Sequence, residues 1–182
     1  MKGHQEALRL LAEAEVVCTP ERVQTEVARM AREITARLEG EFPVVLSVMG
    51  GAAVFTGQLL PQLAFPLEFG AIEVTRYNDD IEGREITWRL PPRDNVRGRT
   101  VLVVDDILDE GITLAAIRKT LLEMGAAKVL SAVFADKDLG REKPVTADFV
   151  GVTVPNRYVF GFGMDAYGLW RNLPAIYALK DK

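Results

Sequence analysis

Asp105, Asp106, Asp109, Gly111 and Thr113 share one short segment, VLVVDDILDEGITL, from Val101 to Leu114. Vicinal carboxylates such as Asp105 and Asp106 accept hydrogen bonds from paired hydroxyls or bind a divalent cation through oxygen. Leu114, Ile117, Leu121 and Met124 follow at the spacing of one apolar helix face, closed by Gly125, so the segment's second half is a helix start. Unpaired backbone N–H groups and the positive end of the helix dipole favour an anion there, and Thr113 adds a hydroxyl donor. A phosphate is the natural guest, and acids suited to sugar hydroxyls beside it describe a sugar phosphate. The same residues also allow plainer roles, a structural acid pair for Asp105 and Asp106 and a helix N-cap for Asp109. The capping role is compatible with acid–base work.

The elements that position these groups read as an α/β protein. The apolar run Val101 to Val104 predicts a strand covered on both faces, with Asp105 and Asp106 emerging at its carboxyl end, where open α/β sheets bind ligands. Pro43 to Met49 predicts a second strand, which ends in Gly50-Gly51 before a helix from Ala52 to Leu60. Leu67 to Tyr77 and Glu85 to Leu90 are β-rich and flank the polar stretch Asn78 to Gly83, the pattern of a hairpin or flap. Val129 to Asp136 and Asp148 to Val154 supply further strands, and Tyr158 to Met164 is aromatic and interrupted by glycine. Two amphipathic helices precede them, Glu6 to Ala14 and one from Thr19-Pro20 to about Gly40; Val23, Val27, Met30, Ile34 and Leu38 of the second are core or subunit packing. Strands alternating with helices predict a doubly wound, mainly parallel sheet flanked by helices.

With 182 residues, 48% hydrophobic and 26% charged, the chain is expected to form a single domain over residues 1–182. A net charge of −4 argues against nonspecific nucleic-acid binding, which needs a basic surface. The single cysteine, Cys18, permits no intramolecular disulfide, and no apolar run approaches membrane-spanning length. A cytoplasmic protein with neither a nucleic acid nor a membrane as partner is the expectation.

The Val101–Leu114 segment resembles the phosphoribosyl diphosphate motif of the type I phosphoribosyltransferases: apolar residues, two acids, two further residues, then an acid and a small phosphate loop. Over Pro43 to Leu173 the resemblance points to the hypoxanthine-guanine phosphoribosyltransferases of bacteria. It implies the type I fold, a core at about 40–155 under a small hood from about 1–20 and 156–182, and a flexible β-hairpin. It implies that Asp105 and Asp106 bind the ribose hydroxyls, directly or through Mg²⁺, next to Ile107. Asp109 would be the general acid or base near purine N7. The backbone from Glu110 through Gly111 and Ile112 to Thr113 would carry the 5-phosphate, with the Glu110 carboxylate, a departure from the family, turned to solvent.

Val48-Met49-Gly50-Gly51 matches the pyrophosphate loop, where the family has a nonprolyl cis peptide; the residues leave open whether the Val48–Met49 bond is cis and whether this is a plain glycine turn. Met49 and Gly50 are its expected substrate contacts. Lys137 matches the lysine that donates to the purine 6-oxo group, and a side chain with donors only favours an oxygen over the amino group of adenine. Within Val154 to Asp165, which resembles the purine hood, Tyr158 would stack on the base and the Val159 carbonyl read its edge. Asp165 would serve the exocyclic group or a second Mg²⁺. Arg171 matches an arginine that contacts pyrophosphate, and Arg76-Tyr77 occupies the place of a dipeptide closing over the reaction.

The implied activity joins hypoxanthine or guanine to 5-phospho-α-D-ribose 1-diphosphate, giving IMP or GMP and diphosphate in purine salvage, with Mg²⁺ as cofactor and a homodimer or homotetramer as assembly. Two other readings stay open: a xanthine-preferring phosphoribosyltransferase, and a noncatalytic nucleotide-sensing regulator on the same fold.

Overall fold

The computed structural model describes residues 3–76 and 86–180. Helix α1 (His4–Glu13) leads through strand β1 (Glu15–Cys18) into the long helix α2 (Pro20–Leu38). Thr19 caps α2 by accepting from the backbone N–H of Arg22 at 3.3 Å, and Pro20 opens the first turn, where its missing N–H leaves nothing unpaired. There follow β2 (Val44–Met49), α3 (Ala53–Leu59), β3 (Glu68–Arg76), β4 (Ile86–Leu90), β5 (Thr100–Leu108) and α4 (Ile112–Glu123). The chain ends with β6 (Lys128–Lys137), β7 (Phe149–Val154) and the short strands β8 (Val159–Phe160) and β9 (Ile176–Ala178).

Six strands build the main sheet in the order β4-β3-β2-β5-β6-β7, parallel except for β4, which returns antiparallel to β3. Strand alternation divides the core. Val45, Leu102 and Val104 pack with Val27, Met30 and Ile34 of α2 and Phe55 of α3, whereas Val44, Val101 and Val103 pack with Leu114, Ile117 and Leu121 of α4. Helices on both faces explain why β2 and β5 read as unbroken apolar runs.

Strand β5 outlasts its apolar run. The expected strand of Val101 to Val104 extends from Thr100 to Leu108, so Asp105 and Asp106 lie on it and not beyond it. The neighbours explain the difference: β2 pairs no further than Ser47 opposite Val104, while β6 continues alongside, with Asp105 opposite Val133 and Leu108 opposite Asp136. The two acids therefore stand at a step in the sheet, with one flank of β5 still paired.

A second, antiparallel sheet, β1-β9-β8, joins the two ends of the chain. Arg157 ties it together, pairing with Glu15 Oε2 at 2.8 Å and donating to the Leu179 carbonyl at 2.7 Å. Trp170 Nε1 donates to the Ala7 carbonyl of α1 at 3.0 Å. Tyr77 and the polar stretch 78–83 lie outside the described residues, as does the side chain of Arg76, the last residue of β3. Among the described residues no helix is long and apolar enough to cross a membrane.

Candidate active site

The carboxyl edge of β5 gathers the acids. Asp105 Oδ1 accepts from the backbone N–H of Asp106, and Asp106 Oδ1 from that of Ile107, each at 2.9 Å. Asp106 is only 8% exposed. Burial pushes the Asp105 carboxyl well above the usual carboxylate range, and the adjacent Asp106 charge adds to it. Burial also raises Asp106, against the opposing pull of its hydrogen bonds and of the Arg171 guanidinium. Desolvated neighbours of like charge are relieved by a divalent cation or by hydroxyl donors.

Beyond Leu108 the chain turns through Asp109 and Glu110 to Gly111, whose φ of +81° is the left-handed conformation that glycine adopts without cost. Helix α4 begins at Ile112, so the loop runs directly into a helix N-terminus, the positive end of the helix dipole. Glu110 Oε1 lies 3.6 Å from Nη2 of Arg141, with the glutamate side chain 46% exposed.

The next strand edge supplies a basic group. Lys137 is the last residue of β6, and its Nζ bonds Asp109 Oδ2 at 2.7 Å, with the lysine side chain only 12% exposed. This pair borders a cavity of ≈ 230 Å³ also lined by Asp106, Ile107, Tyr158, Val159, Met164 and Asp165. The Tyr158 ring stacks on Tyr167, with centroids 5.6 Å apart and planes inclined by 17°. Tyr167 thus holds one face of the aromatic platform. A wider groove of ≈ 640 Å³ lies between α4 and residues 143–146, away from these groups.

Strand β2 ends at Met49, and the Met49–Gly50 peptide is cis. The cis bond is one step beyond the Val48–Met49 bond considered from sequence, because Val48 and Met49 still pair with Ile72 and Glu73 in the extended ladder. The hood closes on this loop. Gly163, at φ +104°, approaches so closely that a Cβ there would sit 2.1 Å from the Gly51 carbonyl oxygen and 3.3 Å from Asp106 Cβ. Arg171 spans the junction: it donates to the Gly163 carbonyl at 2.6 Å, pairs with Asp165 Oδ1 at 2.6 Å and lies 3.9 Å from Asp106 Oδ2. Asp165 also accepts from the Gly168 N–H at 2.6 Å.

The fold thus brings Asp105, Asp106, Ile107, Asp109, Lys137, Tyr158, Val159, Asp165 and Arg171 to one edge, with the 110–113 loop and Met49-Gly50 at strand ends of the same sheet. Arg171, expected on pyrophosphate, lies beside Asp106 and Asp165. Sequence reasoning missed Tyr167, Met164 and Arg141. The aromatic pattern around Tyr158 was a usable signal for Tyr167, whereas Arg141 carries none in an irregular loop.

Residues 19–167 match the family model described as the phosphoribosyl transferase domain. The hypoxanthine-guanine phosphoribosyltransferase of Bacillus subtilis is 31% identical over 166 residues, 91% of this chain and 92% of the relative. The chain spans 26% of the length of the bifunctional TilS/HprT protein of Listeria innocua, which is 34% identical over 168 residues, 92% of this chain. The crystal structure of a hypoxanthine-guanine phosphoribosyltransferase from Bacillus anthracis superposes with a TM-score of 0.85 at 27% identity, covering 91% of this chain and 98% of that one. Motif, fold and likeness agree, and the chain belongs to the phosphoribosyltransferase family, among its hypoxanthine-guanine members.

Proposed function

We propose that the protein transfers the 5-phosphoribosyl group of 5-phospho-α-D-ribose 1-diphosphate to hypoxanthine or guanine, forming IMP or GMP and releasing diphosphate. The observation that carries this reading is the Asp109–Lys137 pair, 2.7 Å apart in a cavity between Asp106 and Tyr158. N7 and the 6-oxo group are neighbours on one edge of an oxopurine, so a single edge meets both residues. Asp109 takes the N7 proton while Lys137 leaves it to donate to the oxygen. N9 then bonds to C1 of the ribose as the C1–oxygen bond breaks and its electron pair leaves with diphosphate. Tyr158 stacks on the base, the Val159 carbonyl reads its edge, Asp105 and Asp106 take the ribose hydroxyls, and the 110–113 loop takes the 5-phosphate. The close approach of Gly163 to Gly51 would limit the access of water on that side of the site.

The donor set fits Mg²⁺, which is held by one or two carboxylates together with substrate oxygens rather than by an all-protein cage. No such cage, a group of three or more His, Cys, Asp or Glu, occurs among the described residues. Asp105 and Asp106 would hold the ion on the ribose side and Asp165 on the diphosphate side, and the bound ion supplies charge neutralisation of the leaving group. Arg171 would then exchange Asp165 for diphosphate, which its planar guanidinium suits. A phosphorylated substrate that does not cross membranes favours a cytoplasmic reaction, and sedimentation velocity is expected to show a homodimer or homotetramer.

Catalytic efficiencies for hypoxanthine, guanine, xanthine and adenine, with the sugar diphosphate and Mg²⁺, test the proposal. IMP and GMP are expected as the main products, with adenine slower by about a hundredfold or more. Faster xanthine turnover would make the enzyme xanthine-preferring. No nucleotide from any base would overturn catalysis in favour of a sensing role.

A further inference from the structure

The strand ends that carry Asp109 and Lys137 are joined a second time by a group outside the cavity. Lys143 Nζ donates to the Leu108 carbonyl at 2.8 Å and to Asp136 Oδ1 at 2.5 Å, and its side chain is 10% exposed. Leu108 is the last residue of β5 and is peptide-bonded to Asp109; Asp136 directly precedes Lys137 on β6, opposite Leu108 in the ladder. Successive side chains on a strand take opposite faces, so Asp136 and Lys137 meet their partners on opposite sides of the sheet edge. The residues after Lys143 reach the phosphate loop as well: Pro144 and Val145 each come within 3.3 Å of the point where a Cβ on Gly111 would stand. One short segment therefore braces both the peptide before Asp109 and the turn that starts α4.

We propose that Lys143 is a positioning residue, which sets the spacing of the β5 and β6 ends and thereby the geometry of Asp109 and Lys137. The proposal rests on the roles given to that pair above. The pair is only half-buried, with the lysine side chain 10% and the aspartate 35% exposed, so solvent still screens it and it is a weak source of stability compared with well-packed apolar side chains. Apolar side chains cannot supply a directional bond of fixed length to the Leu108 carbonyl. Lys143 provides that bond, and Asp136 orients the ammonium that makes it.

The test compares Lys143→Met, Lys143→Arg and the double variant Asp136→Leu/Lys143→Met with the wild type, in kcat and KM for hypoxanthine and in melting temperature. Lys143→Met is expected to lose about tenfold to a hundredfold, mainly in kcat, the scale of a misplacement of about 1 Å. Lys143→Arg, which keeps charge and donors, should recover most of it. Where the unpaired Asp136 makes Lys143→Met too unstable to assay, the double variant decides: it should regain melting temperature without regaining kcat. A double variant that recovers both, or a folded Lys143→Met with unchanged kcat, would overturn the positioning role. Wild-type protein inactive on every oxopurine would instead overturn the functional reading, and this proposal with it.

Discussion

Replacing Lys137 by methionine separates what this side chain does for the fold from what it does for the substrate. Methionine keeps most of the apolar stem, which is only 12% exposed, and removes the ammonium 2.7 Å from Asp109 Oδ2. The acid left behind is 42% exposed and stays hydrated, so the loss of the pair should cost stability no more than about 1 kcal/mol. In a chain of this size that is about 2–4 °C in melting temperature. Turnover should suffer more. The 6-oxo group would lose a hydrogen bond from a charged donor, worth about 1.5–3 kcal/mol. At about 1.36 kcal/mol per decade, kcat/KM for hypoxanthine falls about tenfold to 150-fold. Adenine never gained from that donor, so preference for hypoxanthine over adenine should shrink by a similar factor. Initial rates of IMP and AMP formation at saturating sugar diphosphate measure it, with melting curves alongside. An unchanged ratio of the two efficiencies, in a protein that melts within the stated range, would refute the assignment of Lys137.

Asp109→Asn should lower kcat by about 10²- to 10⁴-fold while KM for the sugar diphosphate moves little, and rapid-quench turnover showing full kcat would remove Asp109 from the chemistry. Tyr158→Ala should weaken purine binding by about 1 kcal/mol, roughly fivefold in KM; identical purine affinity by calorimetry would count against the platform with Tyr167. Asp105→Asn is expected to stabilise the ligand-free protein at pH 7 while impairing substrate binding. The sign follows from the raised carboxyl: the folded state holds its proton more tightly than the unfolded state, so charging Asp105 costs stability as pH rises from its ordinary value near 3.8 through its raised one. The gain in melting temperature should therefore fade as pH drops toward 4, where the wild-type carboxyl is neutral too; a gain that persists there would contradict the burial account.

Much of this protein was legible in its residues because the informative signals are local. An apolar β-branched run, two acids, a glycine and a helix period follow one another between Val101 and Met124, and each is dictated by neighbours in sequence. The alternating strands and helices, the Thr19-Pro20 cap and the ends of α2 and α4 follow from the same short-range rules. Strands β1 and β9 were not legible, since runs of three and four residues carry no period and exist only by pairing across the whole chain.

What the sequence determined by itself was therefore the set of chemical groups and the class of sheet that would present them. Tertiary structure decided their partners: β6 draws β5 past its apolar run, Gly163 brings the hood onto Gly51 and Asp106, Lys137 meets Asp109, and Lys143 grips the Leu108 carbonyl. Those partnerships join residues far apart along the chain or set by strand register, and no local propensity specifies which charge a side chain meets once folding has removed the water between them.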